Sequence, residues 1–212
     1  MKKILIFSAG PAGRDIFLLI NAINKIKKKW KVIGFVDDNT KFKKKKVEGL
    51  EVFSLKKKPI EKNLYAITGM MDPKVRKNIY AKEIKNDYLI PNLIHPNIEI
   101  PKCFKLGKGN IIFNHVHLSF EVAFGSFSVI SNFCDIGHNL VSKDFLTVMP
   151  SVTIGGNCKV GSNTLIGSGV KIIQNIKIGD NCKIGIGSSV TSDLSKNSNI
   201  INFQRKVINK ND

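Results

Sequence analysis

Three histidines, one glycine turn and a pair of aspartates are the residues of this chain whose types could do chemistry. His115, His117 and His138 carry imidazoles, which take and return a proton around an ordinary pKa of roughly 6.5. A solvated surface ring is the alternative for each. The turn Ser8-Ala9-Gly10-Pro11-Ala12-Gly13 follows a short apolar run and opens a helical pattern. Gly10 and Gly13 would let backbone approach a phosphate at a helix N-terminus, and Asp37 or Asp38 ends a strand where a ribose hydroxyl could be held. Ser8 stands where a full dinucleotide motif has its first glycine, and a segment of roughly 90 residues is short for a whole dinucleotide. The turn therefore reads either as a site for one nucleotide or as a purely structural turn.

Such groups act only if something positions them. Over residues 1–91, "KKILIF", "KVIGFVDD" and "LYAITG" read as strands, "RDIFLLINAINKIKK" and "DPKVRKNIYAKEIK" as helices. Strands alternating with helices predict a small parallel α/β sheet of Rossmann-like type. Residues 92–195 follow a different rule. Counting in sixes from Ile100 through Ile154 to Val190 gives 16 positions, and only Ser142 among them is not apolar. Neither helices nor flat strands repeat at six, so the period predicts a parallel β-helix, each short face sending one side chain inward. Its corners end in Asn or Gly (Asn157, Asn163, Gly169, Asn181, Gly187), the residues that best tolerate positive φ. Cys134, Cys158 and Cys182 fall two positions before an inward aliphatic and read as small core residues. Their spacing of 24 residues is not a whole number of three-face coils, so they should not stack into a metal or disulfide set. Cys103 has no evident role. Residues 196–212 form a C-terminal tail.

The formal charge of +18 over 212 residues would usually suggest nucleic acid or an anionic membrane. Nearly all of it is lysine, and runs such as Lys43 to Lys46 and Lys56 to Lys58 lack interleaved aromatics. Neither nucleic-acid binding nor membrane insertion is expected; a polyanionic small molecule would profit from the same field. No stretch reaches membrane-spanning length and "MKKILIFSAG" lacks the features of a signal peptide, so a cytoplasmic protein is expected.

The order of these parts resembles the NeuD/PglD-like sugar O/N-acyltransferases. "SAGPAGRDI" is similar to the family's glycine turn, "GFVDDN" to its acidic strand end, "IHP" to its linker and "IGHNLVSKDFLTVMPSVTIGGNCKVG" to its catalytic coil. The resemblance implies a left-handed β-helix, a homotrimer with shared active sites, and acetyl-coenzyme A between neighbouring β-helices, with no metal. It places the general base at His138 and the thioester contact at the Gly156 N–H. Thr147, where some relatives have a second histidine, and Gly161, Gly167, Ser168 and Gly169 fall on the coenzyme side. Ser8, Gly10, Pro11, Ala12, Gly13, Asp37, Asp38 and Gly69 fall on the side of a nucleotide-sugar acceptor. A carboxylate commonly follows the family's histidine, whereas Asn139 follows here; Asp135 and Asp144 are the substitutes to examine. "NFQRKV" replaces the usual Pro-Ala-Lys segment, so no adenine contact carries over. The implied activity is N-acetylation of a nucleotide-linked 4-amino-4,6-dideoxy sugar. A sialic acid-type O-acetyltransferase and a non-catalytic trimeric nucleotide-binding module are the alternatives. A zinc β-helix carbonic anhydrase would leave the N-terminal half without purpose.

Overall fold

The structure, a computed structural model, describes residues 1–42 and 45–201. Part of the Lys43 to Lys46 run, the whole "NFQRKV" segment and the end of the expected tail lie outside the described residues. The chain opens with β1 (Lys2–Phe7), whose Ile4, Leu5, Ile6 and Phe7 are buried on both faces as a central parallel strand requires. The turn follows, then α1 (Pro11–Ile26), with Pro11 at its first position and Ile16, Leu19 and Ile20 as its buried stripe. β2 (Trp30–Val36), β3 (Lys46–Val47), β4 (Leu50–Phe53) and β5 (Tyr65–Thr68) complete a sheet of order β3-β4-β2-β1-β5. All pairings are parallel except β3 with β4. That hairpin went unread in the sequence, because its short strands are flanked by lysines. The helix expected over 72–85 is α2 (Pro73–Ile79), capped by Asp72 accepting from Lys74 N and Val75 N, followed by a wider π turn over Tyr80–Ile84.

From Leu93–Ile94 onward the chain is a left-handed parallel β-helix. Two-residue strands stack into three faces: a seven-stranded one from Leu93–Ile94 to Asn199–Ile200, and two five-stranded ones, from Lys105–Leu106 to Lys177–Ile178 and from His117–Leu118 to Ser189–Val190. Partners lie 18 residues apart, as Val129 with Thr147, until the final coil, where Lys183 pairs with Asn199. The β-helix thus extends past residue 195, and the first residues of the expected tail belong to it. The predicted inward positions form one core from Ile112 to Val190, joined by Cys134, Cys158 and Cys182. Burial pushes the Cys134 thiol up to about 11 and raises that of Cys158 as well, so they behave as packing groups. Ile100 is a correction. It is 47% exposed, because the first complete coil has not yet begun at that point.

The N-terminal domain docks on the seven-stranded face. Outward positions of its early coils are apolar up to Val129, and Leu93, Ile111 and Val129 share a buried cluster with Ile16, Leu19 and Ile67. Arg76 of α2 fastens the contact. Fully buried, it donates through Nε to Phe127 O at 2.9 Å, through Nη1 to Met70 O and Met71 O, and through Nη2 to Leu146 O and Thr147 Oγ1. Burial lowers its pKa to about 9, with Asp72 pulling the other way, so the guanidinium stays charged near neutral pH.

Candidate active site

His138 sits just before a corner whose residue, Asn139, has φ 57°. Phe120, one coil earlier, lies nearly parallel to the imidazole, 5.3 Å between centroids and 11° between planes. Gly156, one coil later, closes the other side. A Cβ at Gly156 would overlap Nε2 of the ring, so only glycine admits this approach. The Gly156 N–H donates to no acceptor among the described residues, while its carbonyl accepts from Asn175 N.

The other ring nitrogen is held. His138 Nδ1 lies 2.7 Å from Asn139 Oδ1, and Asn139 Nδ2 donates to Glu121 Oε2 at 2.6 Å. A carboxylate can only accept, so Asn139 must turn its NH2 toward Glu121 and its carbonyl toward the imidazole. Nδ1 then carries the proton and Nε2 presents a lone pair beside Gly156. Neither candidate substitute performs this task. Asp135 pairs with exposed His117 at 2.8 Å, and Asp144 Oδ1 accepts from Ser126 N. Glu121 was missed in the sequence, although it stands one coil of 18 residues before Asn139.

The expected coenzyme contact at Thr147 is overturned. Thr147 is fully buried in the interdomain contact, donating to Met71 O at 2.8 Å and accepting from Arg76. Gly161 borders a groove of about 680 Å³ on the face following the His138 corner, with Val141, Lys143, Lys159, Lys177 and Lys196 around it. Four ammonium groups there suit an anionic molecule, although Asp180 and Asp193 share the lining. Gly167, Ser168 and Gly169 lie at a different corner, before the strand Lys171–Ile172, and the structure does not bring them to His138. Among the described residues no three His, Cys, Asp or Glu side chains are placed to hold a metal ion. His115 instead stacks on Phe133, 4.8 Å between centroids.

The turn residues do converge. Ser8 adopts φ 135°, the glycine-like backbone the turn requires, despite its side chain. Asp37 Oδ2 accepts from Ala9 N at 2.8 Å, tying the end of β2 to the turn. Gly13 and Gly69 are packing glycines: a Cβ on Gly13 would collide with Ser8 O, and one on Gly69 would come within 2.8 Å of Gly13 Cα. Gly10 alone has room, its nearest obstacle being Ser8 Oγ at 3.5 Å. Asp38 Oδ1 instead accepts from Leu55 N. Pro11 and Ala12 form one end of a cleft of about 650 Å³ between α1 and the β-helix, lined further by Asp15, Met71, His95 and Phe133. Burial lowers the His95 pKa, and nearby His115 adds to the effect.

His138 is not part of that cleft. The docked face is flanked by the corner columns of Phe127 and Phe133, and His138 occupies the third, opposite corner. Within one chain, cleft and imidazole therefore stand apart.

A small parallel sheet docked on a left-handed β-helix, with a fixed histidine over a glycine corner, defines the class of protein. Residues 3–82 match the family described as PglD N-terminal domain. Solved structures extend the likeness, as a likeness of fold, to nearly the whole chain. A perosamine N-acetyltransferase mutant from Caulobacter crescentus, in complex with CoA and GDP-perosamine, superposes with a TM-score of 0.82 at 19% identity over 93% of this chain and 92% of that one. The acetyltransferase domain of PglB from Neisseria gonorrhoeae in complex with acetyl coenzyme A gives 0.79 at 18% identity, over 93% and 95%. WeeI from Acinetobacter baumannii gives 0.81 at 20%, over 92% and 94%. No curated protein sequence matches the chain. No helix among the described residues is long and apolar enough to cross a membrane.

Proposed function

We propose that the protein is an acetyl-coenzyme A-dependent N-acetyltransferase acting on a nucleotide-linked 4-amino-4,6-dideoxy sugar in the cytoplasm, with His138 as general base. The observation that carries this reading is the fixed imidazole, its Nε2 lone pair beside the unused N–H of Gly156. Acetyl-coenzyme A supplies an activated thioester. His138 Nε2 takes the proton lost by the attacking amine as its C–N bond forms, and the Gly156 N–H donates to the carbonyl oxygen that gains charge. The imidazolium then returns that proton to the departing sulfur as the C–S bond breaks, leaving an amide and a free thiol.

The separation of cleft and imidazole supports a shared site. The N-terminal half of one copy would present the acceptor at Gly10 and Asp37, while a neighbour's corner brings His138, which a closed trimer achieves. Light scattering should report three copies, and mixing His138→Ala chains with Asp37→Ala chains should restore part of the activity that each lacks. Failure of that complementation, or a fully active monomer, would exclude the shared site.

Nitrogen as the acceptor atom rests on the nucleotide-type N-terminal half, and on a fold neighbour that holds CoA together with GDP-perosamine. The replacement of a carboxylate by Asn139 does not discriminate against oxygen, because Glu121 stands behind the amide. Mass spectrometry of products from a panel of nucleotide-activated amino sugars, followed by mild alkali, is the test. An amide survives; an alkali-labile acetyl group, or preference for free sialic acid, would establish the O-acetyltransferase instead.

A further inference from the structure

We infer that Glu121 is the positioning carboxylate of this site, acting on the His138 imidazole through the side-chain amide of Asn139. The inference rests on His138 being the general base. Its first support is the chain of contacts, 2.6 Å from Glu121 to Asn139 and 2.7 Å from Asn139 to His138. The second is a reversal within a repeated element. Asparagines stack at equivalent corners elsewhere in the β-helix, and each donates toward the C-terminal end: Asn157 Nδ2 to Asn175 Oδ1, Asn163 Nδ2 to Asn181 Oδ1, and Asn181 Nδ2 to Asn197 Oδ1, all at 3.2 Å. Asn139 stands at the same kind of corner, φ 57° beside 59° for Asn157, yet donates toward the N-terminal end.

Glu121 is what imposes that polarity. An amide or hydroxyl there could donate or accept, leaving Asn139 free to turn over; an ionised carboxylate allows one orientation only. That orientation frees Asn139 Oδ1 for the imidazole and fixes the proton on Nδ1. Glu121 holds a left-handed conformation to do so, φ 58°, where the next three corners of its column carry asparagine. A carboxylate that other sites set directly beside the histidine is here moved back one coil, with an amide between the two.

Histidine tautomers are distinguished by two-bond couplings in protein carrying 15N-labelled histidine, His138 being assigned by the signal lost in His138→Ala. The full-length native protein should show neutral His138 as the Nδ1–H form. Glu121→Gln should give a mixture of tautomers and a kcat lowered about tenfold, the lower end of the scale for outer partners of a functional imidazole, with the acetyl-coenzyme A KM unchanged. Asn139→Asp should also lose activity, because it sets two carboxylates face to face. The double variant Glu121→Gln/Asn139→Asp puts the single charge next to the ring and should regain a kcat within about threefold of native, a recovery that loss of two merely structural contacts would not produce. A native Nε2–H tautomer, an unchanged Glu121→Gln variant, or additive losses in the double variant would each overturn the inference. Absence of acetyl transfer to any acceptor would instead refute the proposed function, and the tautomer of the unliganded protein would still decide the role of Glu121.

Discussion

The first and last coils of the β-helix share one backbone and solve its corners with different residues. From Asn157 onward, the left-handed positions are Asn157, Asn163, Gly169, Asn175, Asn181, Gly187 and Asn197, the types that occupy that region at least cost. Before it they are His115, Glu121, Phe127, Phe133, Phe145 and Ser151, with Gly109 and Asn139 the exceptions. An ordinary L-residue there costs roughly 1–2 kcal/mol, so the early coils carry strain that the later ones avoid. Most of those residues have a second task. Phe127 and Phe145 stack 4.8 Å apart beneath Tyr80 of the N-terminal domain, His115 stacks on Phe133 beside the cleft, and Glu121 directs Asn139. The difference teaches that the late corners mainly satisfy the backbone, whereas the early ones also dock the other domain and hold the proposed base.

The largest effect is expected where docking is concentrated. Arg76→Met would leave up to five acceptors without their buried donor, and should lower stability in denaturant titration by about 4 kcal/mol, the scale for removing one member of a buried charged network. Asn163→Ala in the late coils should cost only about 1 kcal/mol. Comparable losses at both sites would erase the distinction between docked and free coils.

His138→Ala separates chemistry from scaffold. Turnover should fall by about a hundredfold or more while the thermal midpoint stays nearly unchanged, since the ring contributes to no core. Near-normal turnover in a folded variant would remove His138 from the reaction.

These contrasts also mark how much could be read from the sequence. The six-residue period was plain because aliphatics recur inward whatever lies outside, and the late corners were plain because Asn and Gly declare positive φ. Phe127, Phe133 and Phe145 were unreadable as corners, since aromatic residues are averse to that conformation and only partners distant in sequence offset it. Arg76 looked like any helical cation; its acceptors lie as far as 71 residues away. Thr147 was misplaced because an outward position on the docked face is an interior one, which the period cannot reveal. Glu121 had a signal that went unused. Aligning the chain on itself one full coil apart sets it against Asn139, whereas counting in sixes registers cores and leaves columns unpaired.

The smallest effects test whether strain and function coincide. Ser151 and Glu121 both hold left-handed corners, φ 62° and 58°, but only Glu121 reaches the imidazole's partner. Asparagine at either position relieves the backbone, and should raise stability by about 0.5–1 kcal/mol, or roughly 1–4 °C in the midpoint for a chain of this size. Ser151→Asn should do so with turnover unchanged. Glu121→Asn should show the same rise, because the new side chain can extend the asparagine ladder, together with a loss of turnover, because an amide no longer dictates which way Asn139 faces. Stability gained and activity lost at one corner, with stability alone gained at the other, would identify the strain at Glu121 as a cost of orienting His138. A drop in both quantities for Glu121→Asn would show that the carboxylate is retained for folding, and that the early coils differ from the late ones in packing alone.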